Sequence, residues 1–188
     1  MANKSNLIKY VHEHLSHELR LVSANNDSSF ETNLSLEEQT LIYKYSEDGY
    51  EGVNNSLRVS MGKTHTQLGK FLETTLLKLP DHRGLVYRNA NLTATELDRY
   101  MHAFIKSAIL VEHSFISTSI SYGVANMFGG NCKFEIISKT GKAVERYTKY
   151  GLNSGQNEYE VVFNPNCGFT ILEITKMADH SLIIMEEI

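Results

Sequence analysis

Glu158-Tyr159-Glu160-Val161-Val162-Phe163 follows a turn rich in Ser, Gly and Asn and reads as a short strand that opens on two carboxylates. Side chains two apart on a strand point the same way. Glu158 and Glu160 are therefore expected on one face, roughly 6–7 Å apart at Cα by the strand rise, each within reach of the other's charge and of one substrate. The solvent face of any edge strand carries the same pattern, so the pair needs company before it means chemistry. Two segments upstream supply it. Gly84-Leu85-Val86-Tyr87-Arg88 is an apolar run ending in a guanidinium, and Phe115-Ile116-Ser117-Thr118-Ser119 is a strand-like run that puts two hydroxyls on one face.

Working outward, the first half of the chain reads as helices. Leu7, Val11, Leu15 and Leu19 recur at i, i+4 and predict a helix over about 4–21, ended by the polar stretch Ser23–Ser29. Ser35-Leu36-Glu37-Glu38 is a capping box opening a second helix; Gly49 breaks that pattern and Tyr50 restarts it. A further helix is expected over about 64–79, stopped at Pro80, and another over about 93–108, opened by Thr93-Ala94-Thr95-Glu96. Short β-rich runs follow near 115–119, 132–138, 158–164, 169–176 and 181–187. Helices first and strands afterwards argue an α+β fold, its helices packed on a mainly antiparallel sheet. No repeat or linker divides the 188 residues, so one domain spans 1–188, helical over about 1–80 and β-rich over about 84–188.

A formal net charge of −4 gives no general attraction to nucleic acid or to an anionic membrane. No apolar stretch is long enough to span a bilayer, and the first residues lead into an amphipathic segment rather than a signal-peptide core, so the chain reads as soluble without a cleavable address. Cys132 and Cys167 lack metal-ligand spacing and read as ordinary buried or half-buried thiols. His65, His82 and His113 are isolated in sequence, and no metal is expected. Lys142 and Arg146 are best read as facing solvent.

Taken in order, Tyr87-Arg88, Ser117-Thr118-Ser119 and Glu158-Tyr159-Glu160 resemble the Arg, Ser-Thr-Ser, Glu-x-Glu signature of the arginine-directed mono-ADP-ribosyltransferases, bacterial toxins among them. Val161-Val162-Phe163 after the second glutamate fits the same pattern. Gly49-Tyr50-x-x-Val53-Asn54-x-x-Leu57-Arg58 is similar to the helix that precedes the catalytic core in many members, so the resemblance covers roughly residues 35–188. It implies a split-sheet ADP-ribosyltransferase fold, NAD as substrate without a metal, and transfer of ADP-ribose to arginine on a target protein by a secreted effector or toxin. Delivery by a secretion system into the target-cell cytoplasm and an immunity protein as a further partner belong to the same implication.

By resemblance Glu160 stabilises the oxocarbenium-like transition state and bonds the ribose 2′-hydroxyl, Ser117 holds Glu160, and Thr118 and Ser119 finish the strand edge. Arg88 faces the dinucleotide phosphates. Glu158 orients and deprotonates the acceptor guanidinium, whose high pKa makes it a poor nucleophile while charged. Asn89 stands where many members have Gly, so any grip on the nicotinamide carboxamide there runs through backbone. Phe134, Phe128, Tyr147 and Tyr122 are the candidates for an aromatic wall, and the turn 150–157 is the element expected to meet the target. A second register, Gln156-Asn157-Glu158, would make Glu158 catalytic; the apolar strand directly after Glu160 favours the later one. An NAD glycohydrolase and a non-catalytic module that keeps the fold remain as alternatives.

Overall fold

A computed structural model describes residues 4–25 and 31–188. The helices are α1 (Lys4–His14), α2 (Ser16–Ala24), α3 (Leu36–Lys44), α4 (Tyr50–Val59), α5 (Gln67–Leu76), α6 (Ala94–Lys106) and α7 (Tyr122–Met127). The strands are β1 (Asp81–Ala90), β2 (Leu110–Glu112), β3 (Ile116–Ser119), β4 (Cys132–Ala143), β5 (Glu160–Phe163), β6 (Cys167–Lys176) and β7 (Ser181–Glu187). These elements form two compact units, one of residues 1–80 with 144–157 and one of 81–143 with 158–188.

The first unit is helical. Both capping boxes predicted from sequence form, Ser35 with Glu38 here and Thr93 with Glu96 in the other unit, because each hydroxyl takes an orphan N–H while the glutamate returns the bond. The helix predicted over 4–21 is instead two helices. Leu15 leaves helical geometry at φ −127°, yet the buried stripe of Leu7, Val11 and Leu15 continues to Glu18, which receives Lys44 Nζ at 2.8 Å. Of the polar stretch Ser23–Ser29, α2 ends at Ala24, and residues 26–30 lie outside the described residues.

Gly49 does not break the chain's helical course. Residues 45–49 form a π-helical turn, with the Tyr50 amide donating to the Tyr45 carbonyl, and α4 continues from it. A Cβ at Gly49 would lie 2.9 Å from both the Lys44 carbonyl oxygen and Leu68 Cδ2, so the widened turn needs glycine there. Segment 144–157 belongs to this unit although strands flank it in the chain. Tyr147 shares a 2.8 Å hydrogen bond with Thr32, and Lys149 pairs with Glu47 at 2.9 Å.

The second unit carries the sheet. β1 pairs antiparallel with β4 along most of its length and with β3 at Tyr87; β3 pairs with β5, and β5 meets Lys142 and Ala143 at the end of β4. These four strands therefore close on one another. β7 runs parallel to β4, β6 pairs antiparallel with β7, and β2 takes the outer edge of β6. Val86, Ile136, Val161, Phe163, Phe169 and Ile183 form the centre of the core, with Tyr100 and Ala103 of α6 packed onto it. The short strand β2 and helix α7 are not among the elements expected from sequence. Lys142 corrects the expectation of a solvent-facing cation: it is buried and bonds Asp81 at 2.5 Å across the β1–β4 pair. Arg146 is exposed. Both cysteines are free thiols, Cys132 buried and Cys167 half-buried.

Candidate active site

The registers of β1, β3 and β5 bring the three sequence motifs into one place. Tyr87 stands opposite Ser119, and Ser119 opposite Glu160, so one row of residues crosses three strands. Arg88, next in β1, donates from its guanidinium to the Ser117 carbonyl at 2.7 Å. That bond occupies one of the five donors of the fork. The Ser117 hydroxyl bonds the Glu160 carboxylate, two residues along the face that strand alternation gives it.

Thr118 and Ser119 turn their hydroxyls to backbone. Thr118 Oγ1 donates to the Val161 carbonyl at 2.8 Å, and Ser119 Oγ donates to the Glu158 carbonyl at 2.6 Å while accepting from the Ser121 amide at 3.0 Å. Together they bind β3 to the segment that carries both glutamates. Asn89 Nδ2 reaches Asn126 Oδ1 of α7 at 3.4 Å.

The glutamates themselves depart from the expected geometry. β5 begins at Glu160, not at Glu158, and Tyr159 between them has φ +49°. A left-handed residue interrupts strand alternation, so the two carboxylates are not successive side chains on one strand face. The turn is held on both sides: the Tyr159 carbonyl accepts from the Ile120 amide at 3.1 Å, and Ser119 holds the Glu158 carbonyl. A non-glycine residue in this region stores backbone strain of about 1–3 kcal/mol, which persists only where neighbours over-determine it.

Burial sets the electrostatics. Glu160 is 6 % exposed, and its pKa is pushed up to about 7, first by loss of solvent; the Ser117 hydrogen bond and the Arg88 charge oppose the rise, and the Glu158 charge adds to it. Glu158 is half-buried and also raised, by loss of solvent. A carboxylate poised near neutrality beside a guanidinium and a hydroxyl can stabilise positive charge that develops on a bound group.

The aromatic candidates separate. Phe134 is buried in the core against Tyr100, so it is no wall for a ligand, and Tyr147 belongs to the helical unit. Phe128 and Tyr122 are exposed on and just after α7, Tyr122 meeting Tyr87 edge-on at 5.4 Å. Sequence reasoning missed α7, although Ser121 as its N-cap was a readable signal. An open groove between α6 and β2, lined by Asp98, Arg99, His102 and His113 among others, contains none of the residues assigned to the site by the sequence motifs; His113, isolated in sequence, shares a 2.9 Å hydrogen bond with Asn166. Among the described residues, no group of three or more His, Cys, Asp or Glu side chains is gathered to hold a metal, and no helix is long and apolar enough to cross a membrane.

Residues 22–188 match the ADP-ribosyltransferase exoenzyme family. A curated relative, named as the NAD(+)--arginine ADP-ribosyltransferase Vis of Vibrio splendidus (strain 12B01), is 26 % identical over 172 residues; the match covers 82 % of this chain and 66 % of Vis. The chain thus spans just under two thirds of that relative's length. Among solved structures, the ADP-ribosyltransferase HopU1 of Pseudomonas syringae pv. Tomato DC3000 superposes with a TM-score of 0.72 at 22 % identity, over 96 % of this chain and 82 % of HopU1. Exoenzyme S from Pseudomonas aeruginosa, solved with human 14-3-3 protein beta and bound to Carba-NAD, superposes with a TM-score of 0.73 at 15 % identity, over 97 % of this chain and 88 % of its own. Both share the fold.

Proposed function

Because this chain belongs to the ADP-ribosyltransferase exoenzyme family, we propose that it transfers ADP-ribose from NAD to an arginine side chain of a target protein. The observation that carries the reading is the meeting of Arg88, Ser117 and Glu160 at one point of the sheet, with Glu158 immediately upstream. The likeness to Vis, whose name specifies arginine, supports the choice of acceptor.

In this reading the C–N bond between nicotinamide and ribose breaks, and nicotinamide leaves with the bonding electron pair. Positive charge spreads over the ribose carbon and ring oxygen. Glu160, ionised, stabilises that charge more than it stabilises NAD, and it bonds the ribose 2′-hydroxyl. Ser117 fixes the orientation of Glu160. Arg88 faces the phosphates of NAD, where a planar fork suits paired oxygens. Asn89, Thr118 and Ser119 complete the NAD-binding edge, the last two through the backbone they hold. Glu158 receives the proton that the acceptor guanidinium gives up as its nitrogen bonds the ribose carbon. Segment 150–157, next to Glu158 in the chain, meets the target. Delivery into a target cell's cytoplasm and neutralisation by an immunity protein belong to the same proposal, as the exoenzyme character of the family suggests.

Incubation with labelled NAD and a guanidine analogue such as agmatine tests the reading, with nicotinamide release measured alongside label transfer. Transfer to the guanidine and, in a cell lysate, to arginine located by mass spectrometry is the expected result. Release of nicotinamide that never labels a guanidine would replace it with an NAD glycohydrolase, and no turnover at all would leave a binding module.

A further inference from the structure

β4 serves two sets of partners, and the change between them is made at a bulge. Ser138 stands opposite Gly84 and Gly141 opposite His82, so Lys139 and Thr140 face the single residue Arg83. A bulge takes residues out of the hydrogen-bond ladder and bends the strand. Here both bulged amides go to one carboxylate. The Lys139 and Thr140 N–H groups donate to Glu187 Oε2 at 2.6 and 2.7 Å, and the Thr140 hydroxyl donates to Oε1. Glu187 ends β7, is 2 % exposed, and lies on the same strand face as the core residues Ile183 and Met185. An acid at a core position is costly unless its acceptors are filled, and the orphan donors of the bulge fill them.

Past the bulge β4 reaches β5, with Lys142 opposite Val162 and Ala143 opposite Val161. The approach is close: a Cβ on Gly141 would lie 2.8 Å from Val161 Cγ1 and 2.7 Å from Ser138 Oγ. Val161 follows Glu160 directly in the chain.

We infer that Glu187 is a positioning residue for Glu160: its carboxylate holds the β4 bulge, the bulge sets where β4 meets β5, and β5 opens on Glu160. The inference rests on the reading of Glu160 as the group that stabilises the reacting ribose. Glu187 touches neither Glu160 nor substrate in this role. It acts through backbone, and the chemistry of its contacts distinguishes two substitutions. In Glu187→Gln the amide oxygen still takes both N–H groups, while its NH2 donates to the Thr140 hydroxyl, which can accept. Glu187→Ala leaves both amides without a partner.

The test measures nicotinamide release by the full chain with NAD alone, as kcat and KM and as kcat/KM against pH, all normalised to folded protein. Glu187→Ala is expected to lower kcat by on the order of tenfold or more with KM changed far less, since small misplacement of a reacting group acts on the bond-breaking step. It should also displace the acid limb of the pH profile, because the protonation of Glu160 is set first by its burial and then by Ser117, Glu158 and Arg88, which face it. Glu187→Gln should restore both to within about threefold of the unaltered chain. A purely structural role would lower the folded fraction and leave kcat per folded molecule and the acid limb unmoved.

If Glu187→Ala does not fold, Thr140→Val decides: it removes only the hydroxyl contact and should give the same displacement at smaller amplitude. Unaltered kcat and acid limb in whichever of the two is folded overturns the inference. Glu160→Gln, assayed in parallel, keeps the two failures apart. Full activity in Glu160→Gln would remove the premise, whereas an inactive Glu160→Gln beside an unaffected Glu187→Ala would remove the positioning role alone.

Discussion

At the scale of single residues, the proposal divides the work between two carboxylates that the fold treats differently. Glu160 is buried, and Glu158 half-buried. Glu160→Gln keeps the shape and removes the charge, and a loss of both hydrolysis and transfer by about 10²–10⁴ is expected, the usual effect of deleting a fixed electrostatic group. Near-normal nicotinamide release from a folded variant would contradict that role. Because burial lifts Glu160 to about pH 7 in the free protein, kcat/KM for NAD should fall as pH drops through that region, where the carboxylate takes up its proton. A profile flat from about pH 5 to 8 would mean that no such group is needed. Glu158→Gln separates the two activities. Transfer to a guanidine should be abolished while slow hydrolysis persists, because water does not require deprotonation by that carboxylate as a guanidinium does. Should hydrolysis vanish in Glu158→Gln and survive in Glu160→Gln, the earlier register, with Gln156 meeting the acceptor, would be correct.

At the scale of elements, the informative place is the junction where segment 144–157 ends and β5 begins. Tyr159 takes φ +49°, and hydrogen bonds from Ile120 and Ser119 to the flanking carbonyls hold it there. The aim of Glu158 relative to Glu160 therefore depends on a backbone conformation that β-branched residues resist and glycine accepts. Tyr159→Gly is expected to retain transfer within a fewfold, whereas Tyr159→Val should lower transfer by on the order of tenfold, given about 1–3 kcal/mol of strain at such a position. Hydrolysis, which relies on Glu160 inside the strand, should suffer less. Equal behaviour of Gly and Val at this site, measured for both activities, would show that the kink has no bearing on the acceptor.

For the molecule as a whole, the proposed catalytic carboxylate is a stability liability. Its pKa in the folded state, about 7, lies above the ordinary value of 4.5, so between those values the folded protein binds more protons than the unfolded chain. Stability from this group is therefore fully present below about pH 4.5 and is lost as pH rises through about 7, a swing on the order of 3 kcal/mol. Glu160→Gln carries no such charge. Its unfolding free energy in urea should match that of the unaltered chain near pH 4.5 and exceed it at pH 8. A difference independent of pH would show that Glu160 is not charged at a cost in the folded state.

Local signals determined much of this architecture from sequence alone. The capping boxes at Ser35 and Thr93 work within a single turn, so their residues announce them without help from the rest of the chain. Apolar runs marked most strands for the same reason, and the resemblance carried by Arg88, Ser117 and Glu160 in that order implied one site, while the pairing of their strands is read only from the sheet. The remainder depended on contacts between residues far apart. Nothing local in sequence marks the helix break at Leu15, and the close approach of Leu68 to Gly49 and the burial of Lys142 against Asp81 each answer to a partner distant in sequence. The placing of Glu158 outside the strand is of that kind as well. Alternation predicts two carboxylates on one face, but only the docking of β3, through Ser119 and Ile120, holds Tyr159 left-handed and so separates them. Likewise Glu187 reads in sequence as one more acid near the end of the chain. It becomes the anchor of a bulge only when β7 lies beside β4, because a bulge is a mismatch between two strands and neither strand contains it by itself.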